Sequence, residues 1–551
     1  MKKILFLFCI VLSFQATAQE GELPAEEIYV IKNKKNILPE VGKPQEKVTL
    51  SLKPLPKVKQ KYTYKEFSLL LPLLDPKLNP PVLKAEKEEP AKEGYLRLGA
   101  GNYGSTLLDA FYNSGRQKDY AYGIFLNHQA SANGPVSKSG YSNNEAGAYG
   151  RYFTPNFTLG GGLAYNRGRY NFYGFDRDSS NELSSDSTKQ IIQSVWFNLG
   201  LENNKKNKPV SYKAGLGIGN ISDRFKASES EISLDFNGRY KIKDSSSVDV
   251  MTDLSLVKRT DSSSVNRSLW RIEPVYRFGF KGFQVHAGIQ VSVANEPEVQ
   301  ETGAYSGSKS SFHIHPILGL QQNIFESKLI AFAGVRGGMN KRTLRSTLEA
   351  NPFLAPDVYL RHENQLFNFY LGLKGQMKGQ WNYRTQISIE KLNQQAFFVN
   401  SEERQEQFEV VYDSSSTRRF TWETEAIYDL GTKTRAGIRY AFIKYGLDKL
   451  NEPWHAPNSV LTIFGRQQIS EKIMLSGEFY YMGGLRGFNW KTAETEKLKG
   501  LADFNLKGEY FFKKRYSAFI SVHNLLNNKN QRFLYYPTQG LRIMVGASVV
   551  F

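Results

Sequence analysis

The chain has 551 residues, a formal net charge of +19 and 13% aromatic residues. Its single cysteine, Cys9, lies in the N-terminal apolar run, so the rest of the chain has no disulfide framework and no thiolate nucleophile. No later stretch of about 18 apolar residues follows, which excludes helical membrane spans. The basic residues are scattered through alternating segments, which argues against nucleic-acid binding and favours anionic lipid or an anion-attracting lumen.

The N-terminal residues predict an exported protein. Two lysines precede an apolar run over residues 4–14, and Ala16-Thr17-Ala18 has the small residues of a signal-peptidase cleavage site, so we assign residues 1–18 to a signal peptide. Residues 19–93 hold ten of the 21 prolines and almost no alternating pattern. We therefore expect this segment to be a proline-rich periplasmic extension with little independent fold.

Apolar and polar residues alternate from Gly94 to the C-terminus, with the period of a β-strand. In the last segment one face carries only apolar side chains: Leu541, Ile543, Val545, Ala547, Val549 and Phe551. The mean hydropathy of -0.45 is compatible with transmembrane strands, because only one face of each strand meets lipid. The pattern predicts an all-β fold, a transmembrane antiparallel β-barrel over residues 94–551, located in the cell outer membrane.

A soluble β-sandwich is the main structural alternative, since its strands alternate too. The predicted strands are longer than the usual five or six residues, and charged residues recur on the face that would form a dry core. Connections also alternate between short turns, such as 154–156 and 281–282, and long loops. The long loops are predicted at 168–187, 295–308, 341–363, 483–497 and 525–539. With 405–430 taken as one long strand, the count is about 22, and an even number returns both termini to the periplasm.

The C-terminal residues carry a family resemblance. Asn524-Leu525-Leu526-Asn527 leaves the penultimate strand, Tyr536-Pro537-Thr538-Gln539-Gly540 enters the last one, and Phe551 is a terminal aromatic. With the opening segment 94–104, these motifs resemble the barrels of TonB-dependent receptors, in particular a receptor-like group of Bacteroidota. Leu541 stands where that family more often has arginine. The resemblance covers nearly all of residues 94–551 and implies a barrel of about 22 strands.

The same resemblance implies a departure at the N-terminus. Family members carry a folded plug of about 130 residues before the barrel, whereas this chain has a proline-rich segment of about 75 residues without a plug-like pattern of strands and helices. We therefore expect the plug to be lacking. Glu26 to Ile31 is similar to the acidic–hydrophobic segment by which such receptors contact TonB. Contact with TonB is left open.

Three histidines are candidate metal ligands. His313 and His315 are predicted to point inward from one strand, and His286 inward from the preceding one, where hairpin pairing would bring it near His315. Three convergent imidazoles bind zinc or copper. Ordinary polar lumen residues are the commoner interpretation, so we predict no metal and no other cofactor. Because no histidine lies in a recognisable serine or aspartate motif, we also predict no enzymatic activity.

Aromatic residues fall into two groups. The first is expected to form the interfacial girdles of the barrel: Trp196, Trp270, Trp381, Trp422, Tyr480 and Tyr481. The second lies in predicted loops, where apolar surface contacts partners or folds over the barrel mouth: Tyr170, Phe172, Tyr173, Phe175, Phe488 and Trp490. We treat the second group as candidate partner-binding residues.

Two functions are compatible with these features. The first is a non-enzymatic, plug-less barrel that acts as a subunit of an outer-membrane complex, with a barrel-assembly, secretion or surface-lipoprotein partner. The alternative is an outer-membrane channel or transporter for small or oligomeric anionic solutes, with a basic lumen. The expected partners are outer-membrane lipids, including lipopolysaccharide, and other envelope proteins. An enzyme in barrel form is the least favoured hypothesis.

Overall fold

The computed structural model describes residues 93–551 apart from ten short gaps. The gaps are 116–118, 133, 135, 176–187, 204–208, 300–304, 326–327, 378–379, 414 and 432. The predicted signal peptide, residues 19–92 of the predicted extension and the segment from Glu26 to Ile31 lie outside the described residues.

The described residues form strands and short connections almost throughout. In chain order the strands are β1 (Gly94–Gly101), β2 (Ser105–Asn113), β3 (Tyr120–Ser131), β4 (Tyr141–Phe153), β5 (Phe157–Asn171), β6 (Lys189–Asn203), β7 (Val210–Asp223), β8 (Ser228–Lys243), β9 (Ser246–Thr260), β10 (Ser264–Phe280), β11 (Phe283–Val299), β12 (Tyr305–Phe325), β13 (Leu329–Asn340), β14 (Glu363–Met377), β15 (Trp381–Asn393), β16 (Ala396–Asn400), β17 (Phe408–Tyr412), β18 (Ser416–Leu430), β19 (Thr434–Gly446), β20 (Ser459–Ser470), β21 (Ile473–Gly483), β22 (Arg486–Asn489), β23 (Glu494–Lys497), β24 (Leu501–Lys513), β25 (Tyr516–His523), β26 (Gln531–Phe533), β27 (Tyr536–Pro537) and β28 (Arg542–Val550). A 3₁₀ turn spans Asn102–Gly104 and an α-helix, α1, spans Leu344–Ala350. No helix among the described residues is long and apolar enough to cross a membrane.

Twenty-two of these strands form one closed antiparallel sheet, which confirms the predicted barrel and strand count. β1 pairs with β2 on one side and with β28 on the other, so that Leu98 lies opposite both Leu108 and Ala547. The remaining strands form three separate hairpins, β16–β17, β22–β23 and β26–β27, within connections. The prediction of one long strand over 405–430 was wrong, because that stretch contains part of a hairpin and then a separate barrel strand, β18.

The two ends of the barrel differ in their connections. We call the end that contains Gly94 and Phe551 the turn end, because its connections are short, and the opposite end the loop end. The β10–β11 connection is a two-residue turn in which both residues, Lys281 and Gly282, have positive φ angles of 45° and 82°. That geometry suits the right-handed twist of the flanking strands and favours glycine at the second position. Short turns at the end where the first barrel strand begins and the last one ends are typical of outer-membrane barrels, with that end in the periplasm.

Alternation along each strand separates an apolar outer face from a polar inner face. Leu371 and Phe312 are each 62% exposed, and both lie at outward positions of their strands. The inner faces instead carry charged and amide side chains. An apolar surface of this extent suits hydrocarbon, and a charged interior does not suit the dry core of a soluble sandwich.

The girdle prediction requires outward side chains, which four of the six aromatic residues have and two lack. Trp270, Trp381, Trp422 and Tyr481 are exposed at outward positions. Trp196 is only 8% exposed and points into the barrel, where the Arg345 guanidinium lies 4.3 Å from its ring centroid. Tyr480 also points inward, because its neighbour Tyr481 takes the outward position. Consecutive residues of a strand face opposite sides, so adjacent aromatic residues cannot both join the girdle.

The lipid-facing assignment predicts a stability difference between two neighbouring positions of β6. Phe197 is 40% exposed on the outer face, whereas Asn198 faces the lumen. Phe197→Arg is expected to destabilise the protein folded in lipid vesicles, lowering its free energy of unfolding by about 2–4 kcal/mol. This is the cost of an arginine near the bilayer midplane. Asn198→Arg serves as the control and is expected to change it little. Urea titration of vesicle-folded protein measures both, and equal losses would contradict the assignment.

Candidate functional site: a loop layer above a charged lumen

The long connections at the loop end fold together into one structure, which we call the loop layer. It comprises the described residues of 172–175, 341–362, 394–413, 447–458, 484–500 and 524–541. Phe172, Phe408 and Leu534 in this layer are completely buried. The layer therefore has a hydrophobic core of its own, separate from the apolar outer face of the barrel.

Helix α1 anchors the loop between β13 and β14. Thr343 is its N-cap, and the Thr343 hydroxyl accepts a hydrogen bond from the Ser346 N–H at 3.1 Å. The Leu344 N–H donates to the Glu229 carboxylate on the barrel wall at 2.7 Å. Lys341, which precedes the helix in the same loop, forms an ion pair with Glu231 on the same wall. These contacts hold the helix against the inner face of β8.

Three loops meet in an aromatic junction formed by Tyr173, Phe353 and Tyr536. The ring centroids are 4.1 Å apart for Phe353 and Tyr536, 4.8 Å for Tyr173 and Tyr536, and 6.1 Å for Tyr173 and Phe353. The Tyr173 hydroxyl also donates to the Pro537 carbonyl at 3.1 Å. A Cβ atom on Gly174 would lie 1.8 Å from the Tyr536 ring, so only glycine permits this approach.

The positions of these three loops show where the junction lies. Going around the ring of 22 strands, six strands separate the loop of Tyr536 from that of Tyr173, eight separate the latter from the loop of Phe353, and eight more complete the circle. Loops spaced so evenly around a closed wall meet only if each reaches inward over the mouth. The aromatic junction therefore lies over the lumen, and the buried cluster to which it belongs extends to Ile221 on the inner face of β7.

A second set of contacts between loops of this layer is centred on His455, which is 2% exposed. Its Nδ1–H donates to the Phe398 carbonyl at 2.8 Å, and its Nε2 accepts from the Leu534 N–H at 3.1 Å. Its ring packs against those of Phe408 and Phe533, with centroid distances of 5.3 and 5.4 Å. Burial lowers the pKa of His455 to about 3, so the imidazole is neutral and links three different loops.

The predicted loop aromatic residues lie in or beside this layer. Tyr173 belongs to the aromatic junction, the fully buried Phe172 contacts Phe353, and the Tyr170 ring meets the edge of Phe353. Phe175 lies 6.0 Å from the Lys138 amine, and Phe488 contacts Trp490 edge to face at 4.8 Å. Trp490 is 36% exposed and its indole N–H donates to the Asn400 carbonyl at 2.6 Å. Of the two roles expected for these residues, folding over the mouth is observed, and partner binding stays a prediction.

The lumen wall beneath the layer is charged, and most of its cations are paired. The Asp249 carboxylate accepts from the Arg239 Nε at 2.8 Å and from the Arg277 Nε at 2.5 Å. Further pairs on the inner face are Arg97–Asp109, Arg271–Asp253, Arg336–Glu273 and Arg419–Glu390. Pairing of this kind cancels much of the positive charge that the composition alone suggests for the lumen.

One lumen-facing pair of cations departs from this pattern. Lys374 and Arg384 lie directly opposite each other on β14 and β15. The Lys374 amine and the Arg384 guanidinium are 5.7 and 5.1 Å from the ring centroid of Phe332. Within the described residues neither forms an ion pair with a carboxylate. Two like charges held opposite each other repel, so this patch favours an anion in the lumen.

The three candidate metal-binding histidines do not converge. His313 and His315 face inward with ring centroids 6.0 Å apart, as predicted for two residues on one face. The register places His315 opposite Gln290 and His286 opposite Gly319, so His286 lies about four residues, or roughly 13 Å, away along the strand. The expected proximity of His286 to His315 was therefore wrong. No group of three potential metal ligands occurs among the described residues.

Phe353, Tyr536 and His455 were not identified as functional candidates from the sequence. Tyr536 carries a signal only as part of a C-terminal motif, and His455 lies in no recognisable motif. Their neighbours come from loops far apart in sequence, with 182 residues between Phe353 and Tyr536. The one local signal was the aromatic content of the loops, which identified Tyr173 and Phe172 and did not extend to the loop of Phe353.

A closed sheet of 22 strands with an apolar outer face and a charged lumen is an outer-membrane β-barrel. The structure is similar to the FrpB iron transporter from Neisseria meningitidis, with a TM-score of 0.66, 12% sequence identity, and coverage of 84% of this chain and 82% of that one. It is also similar to the siderophore receptor PiuA from Acinetobacter baumannii, with a TM-score of 0.64, 9% identity, and coverage of 84% and 82%.

A third similar structure is the ferric-catecholate import receptor Fiu from E. coli K12, with a TM-score of 0.62, 10% identity, and coverage of 83% of this chain and 82% of that one. No protein-family model and no curated protein sequence matches the chain. At these identities the likeness establishes the fold, a barrel of the kind seen in iron and siderophore receptors.

Proposed function

We propose that the protein is a gated outer-membrane transporter for anionic solutes, of the TonB-dependent receptor type. The fold of its barrel is that of proteins described as an iron transporter and as siderophore receptors. The C-terminal motifs resemble the same class. Nothing in this proposal requires an enzymatic reaction or a bound cofactor.

The aromatic junction is the observation that carries the proposal. Tyr173, Phe353 and Tyr536 close over a lumen whose wall is charged, so passage of a polar solute requires these loops to separate. Contacts between three separate loops provide such a gate, because displacing any one loop breaks two of the three ring contacts. Below the gate, Lys374 and Arg384 provide the patch that favours anions.

The anion preference is tested by removing the lumen patch. In barrels opened by the gate substitutions discussed below, Lys374→Gln with Arg384→Gln is expected to lower the anion-to-cation permeability ratio roughly threefold, because the local concentration of anions falls with the lost charge. Reversal potentials across a potassium chloride gradient measure the ratio. The control removes two exposed turn-end lysines, Lys281→Gln with Lys472→Gln, and is expected to leave it unchanged. An equal effect of both pairs would contradict a lumen patch.

A second candidate function is that of a subunit in an outer-membrane complex. The observation that favours it is the partly exposed Trp490, which a folded loop layer presents beside Phe488 and Trp454. If this surface binds an envelope protein, the wild-type protein purified in gentle detergent retains that partner in stoichiometric amount and Trp490→Ala loses it. A barrel that purifies alone and transports after opening supports the first proposal instead.

A further inference from the structure

Three cations form a cluster on the outer face of the barrel at its loop end. Lys391 of β15 and Arg418 of β18 lie directly opposite each other, and Lys444 of β19 lies opposite Phe420, one strand further. We call these three residues the outer basic cluster. They are the only charged residues at the outward positions of these three strands, whose other outward residues are apolar, aromatic, small or uncharged polar.

The outward cations differ from the inward ones in their partners. On the inner faces of the same strands Arg419 pairs with Glu390, and Arg439 pairs with Glu425. Within the part of the chain that the structure describes, no ion pair involves a member of the outer basic cluster. Like charges directly opposite each other in a sheet destabilise it, so the pair formed by Lys391 and Arg418 favours a counter-anion from outside the protein.

Two acidic residues, Asp448 and the buried Asp413, lie near this cluster, and the Asp448 N–H donates to the Asp413 carboxylate at 2.7 Å. The Ser415 hydroxyl and the Ser416 N–H, which bind its carboxylate, lower the pKa of Asp448 below its usual 3.8, with smaller contributions from Arg418 and Lys391. Asp448 is therefore ionised and opposes part of the positive charge. Three cations against two carboxylates still leave the surface basic.

The cluster lies at the boundary of the lipid-facing surface. The outward residues one pleat nearer the turn end are Ile389, Phe420 and Phe442, and Ile389 is 54% exposed. From Trp381, an exposed aromatic residue at the turn end of β15, to Lys391 is a path of roughly 34 Å along the strand. With a tilt of about 40° this corresponds to roughly 26 Å of height, which matches an apolar band about 25 Å tall. The cations therefore lie at headgroup level in the leaflet on the loop side.

We propose that the outer basic cluster binds the phosphate groups of an outer-leaflet glycolipid of the lipopolysaccharide type, with its acyl chains against Ile389, Phe420 and Phe442. Cations above and apolar side chains below match the two parts of a phosphorylated lipid, which a free phosphate ion lacks. The site is on the outside of the wall and is independent of transport through the lumen.

The test uses the full-length mature protein in detergent, titrated with diphosphorylated lipid A. The triple variant Lys391→Gln, Arg418→Gln, Lys444→Gln is expected to bind roughly a hundredfold more weakly than wild type, from the loss of three charges near a lipid headgroup. The single variant Arg418→Gln is expected to lose roughly fivefold, and provides the measurement if the triple variant does not fold. The control Lys281→Gln, Lys433→Gln, Lys472→Gln removes three turn-end lysines and is expected to bind like wild type.

Two further binding measurements distinguish a site for a phosphorylated lipid from a site for a free anion. Dephosphorylated lipid A is expected to bind as weakly to wild type as intact lipid A binds to the triple variant. Millimolar inorganic phosphate is expected not to displace bound lipid A. Equal affinity of the triple variant and wild type, equal binding of the dephosphorylated lipid, or displacement by inorganic phosphate would each overturn the proposal. Folding of each variant is checked by its faster migration on unheated gels.

Discussion

Replacing Phe353 and Tyr536 with alanine is expected to convert a barrel of low conductance into one with large, persistent currents. Both rings belong to the aromatic junction, where Tyr536 is 2% exposed and stacks on Phe353 at 4.1 Å. Removing a buried aromatic side chain costs about 3–5 kcal/mol, and these two residues join all three loops of the junction. The open population of the loop layer is expected to rise more than roughly a hundredfold.

Planar-bilayer recording of the purified full-length protein measures this change. The control replaces two lipid-facing aromatic residues, Phe312→Ala with Phe369→Ala, which lie outside the loop layer and are expected to leave conductance low. Phe353→Leu with Tyr536→Phe keeps most of the apolar volume and is expected to stay closed. If the double alanine variant remains as silent as wild type, the aromatic junction is not the gate.

Acidification is expected to loosen the loop layer through His455. Burial lowers the pKa of His455 to about 3, against 6.5 for the exposed side chain. Between these values the open state takes up a proton that the closed state excludes, so the contribution of His455 to stability is complete above pH 6.5 and falls as the pH drops toward 3. At pH 5 the loss is about 2 kcal/mol. A proton on Nε2 would also face the Leu534 N–H, two donors in contact.

The expected signature is an opening probability that rises from pH 7 to pH 5 in the wild-type protein. His455→Asn removes the titrating group, so the opening probability is expected to become nearly independent of pH in this range. His128→Gln, at an outward position of β3 beside Asn144, is the matched control and is expected to retain the wild-type pH profile. Hydrogen–deuterium exchange of the segment around Leu534, corrected for intrinsic rates, provides a second readout. A pH profile unchanged in His455→Asn would rule out this role.

The barrel was predictable because its determinants are local. In β28, Ile543 and Val545 face outward while Met544 and Ser548 face inward, as the alternation in the sequence predicts. The turns at 154–156 and 281–282 were located from their residue types. The side to which a strand residue points alternates along the chain with a period of two residues. A short turn depends only on the few residues that form it.

The wrong predictions concern the pairing register of two strands and the side of a strand on which an aromatic residue lies. The hairpin of His286 and His315 was recognised, but its register was not, and four residues of offset separate the two rings. Trp196 was assigned to the girdle by residue type, although its position in β6 faces inward. The hairpin β16–β17 was merged with a barrel strand, because a short strand in a loop has the same period as one in the wall.

The sequence by itself determined that residues 94–551 form a closed transmembrane wall with apolar residues outside and charged residues inside. Only the tertiary structure decided that Tyr173, Phe353 and Tyr536 meet over the lumen, that His455 joins three loops, and that Lys374 and Arg384 lie without a carboxylate partner. The alternation of apolar and polar residues is a property of neighbouring residues, so it can be read directly from the sequence. Contacts between loops six to eight strands apart exist only after the wall has closed, and no local pattern encodes which loops then meet.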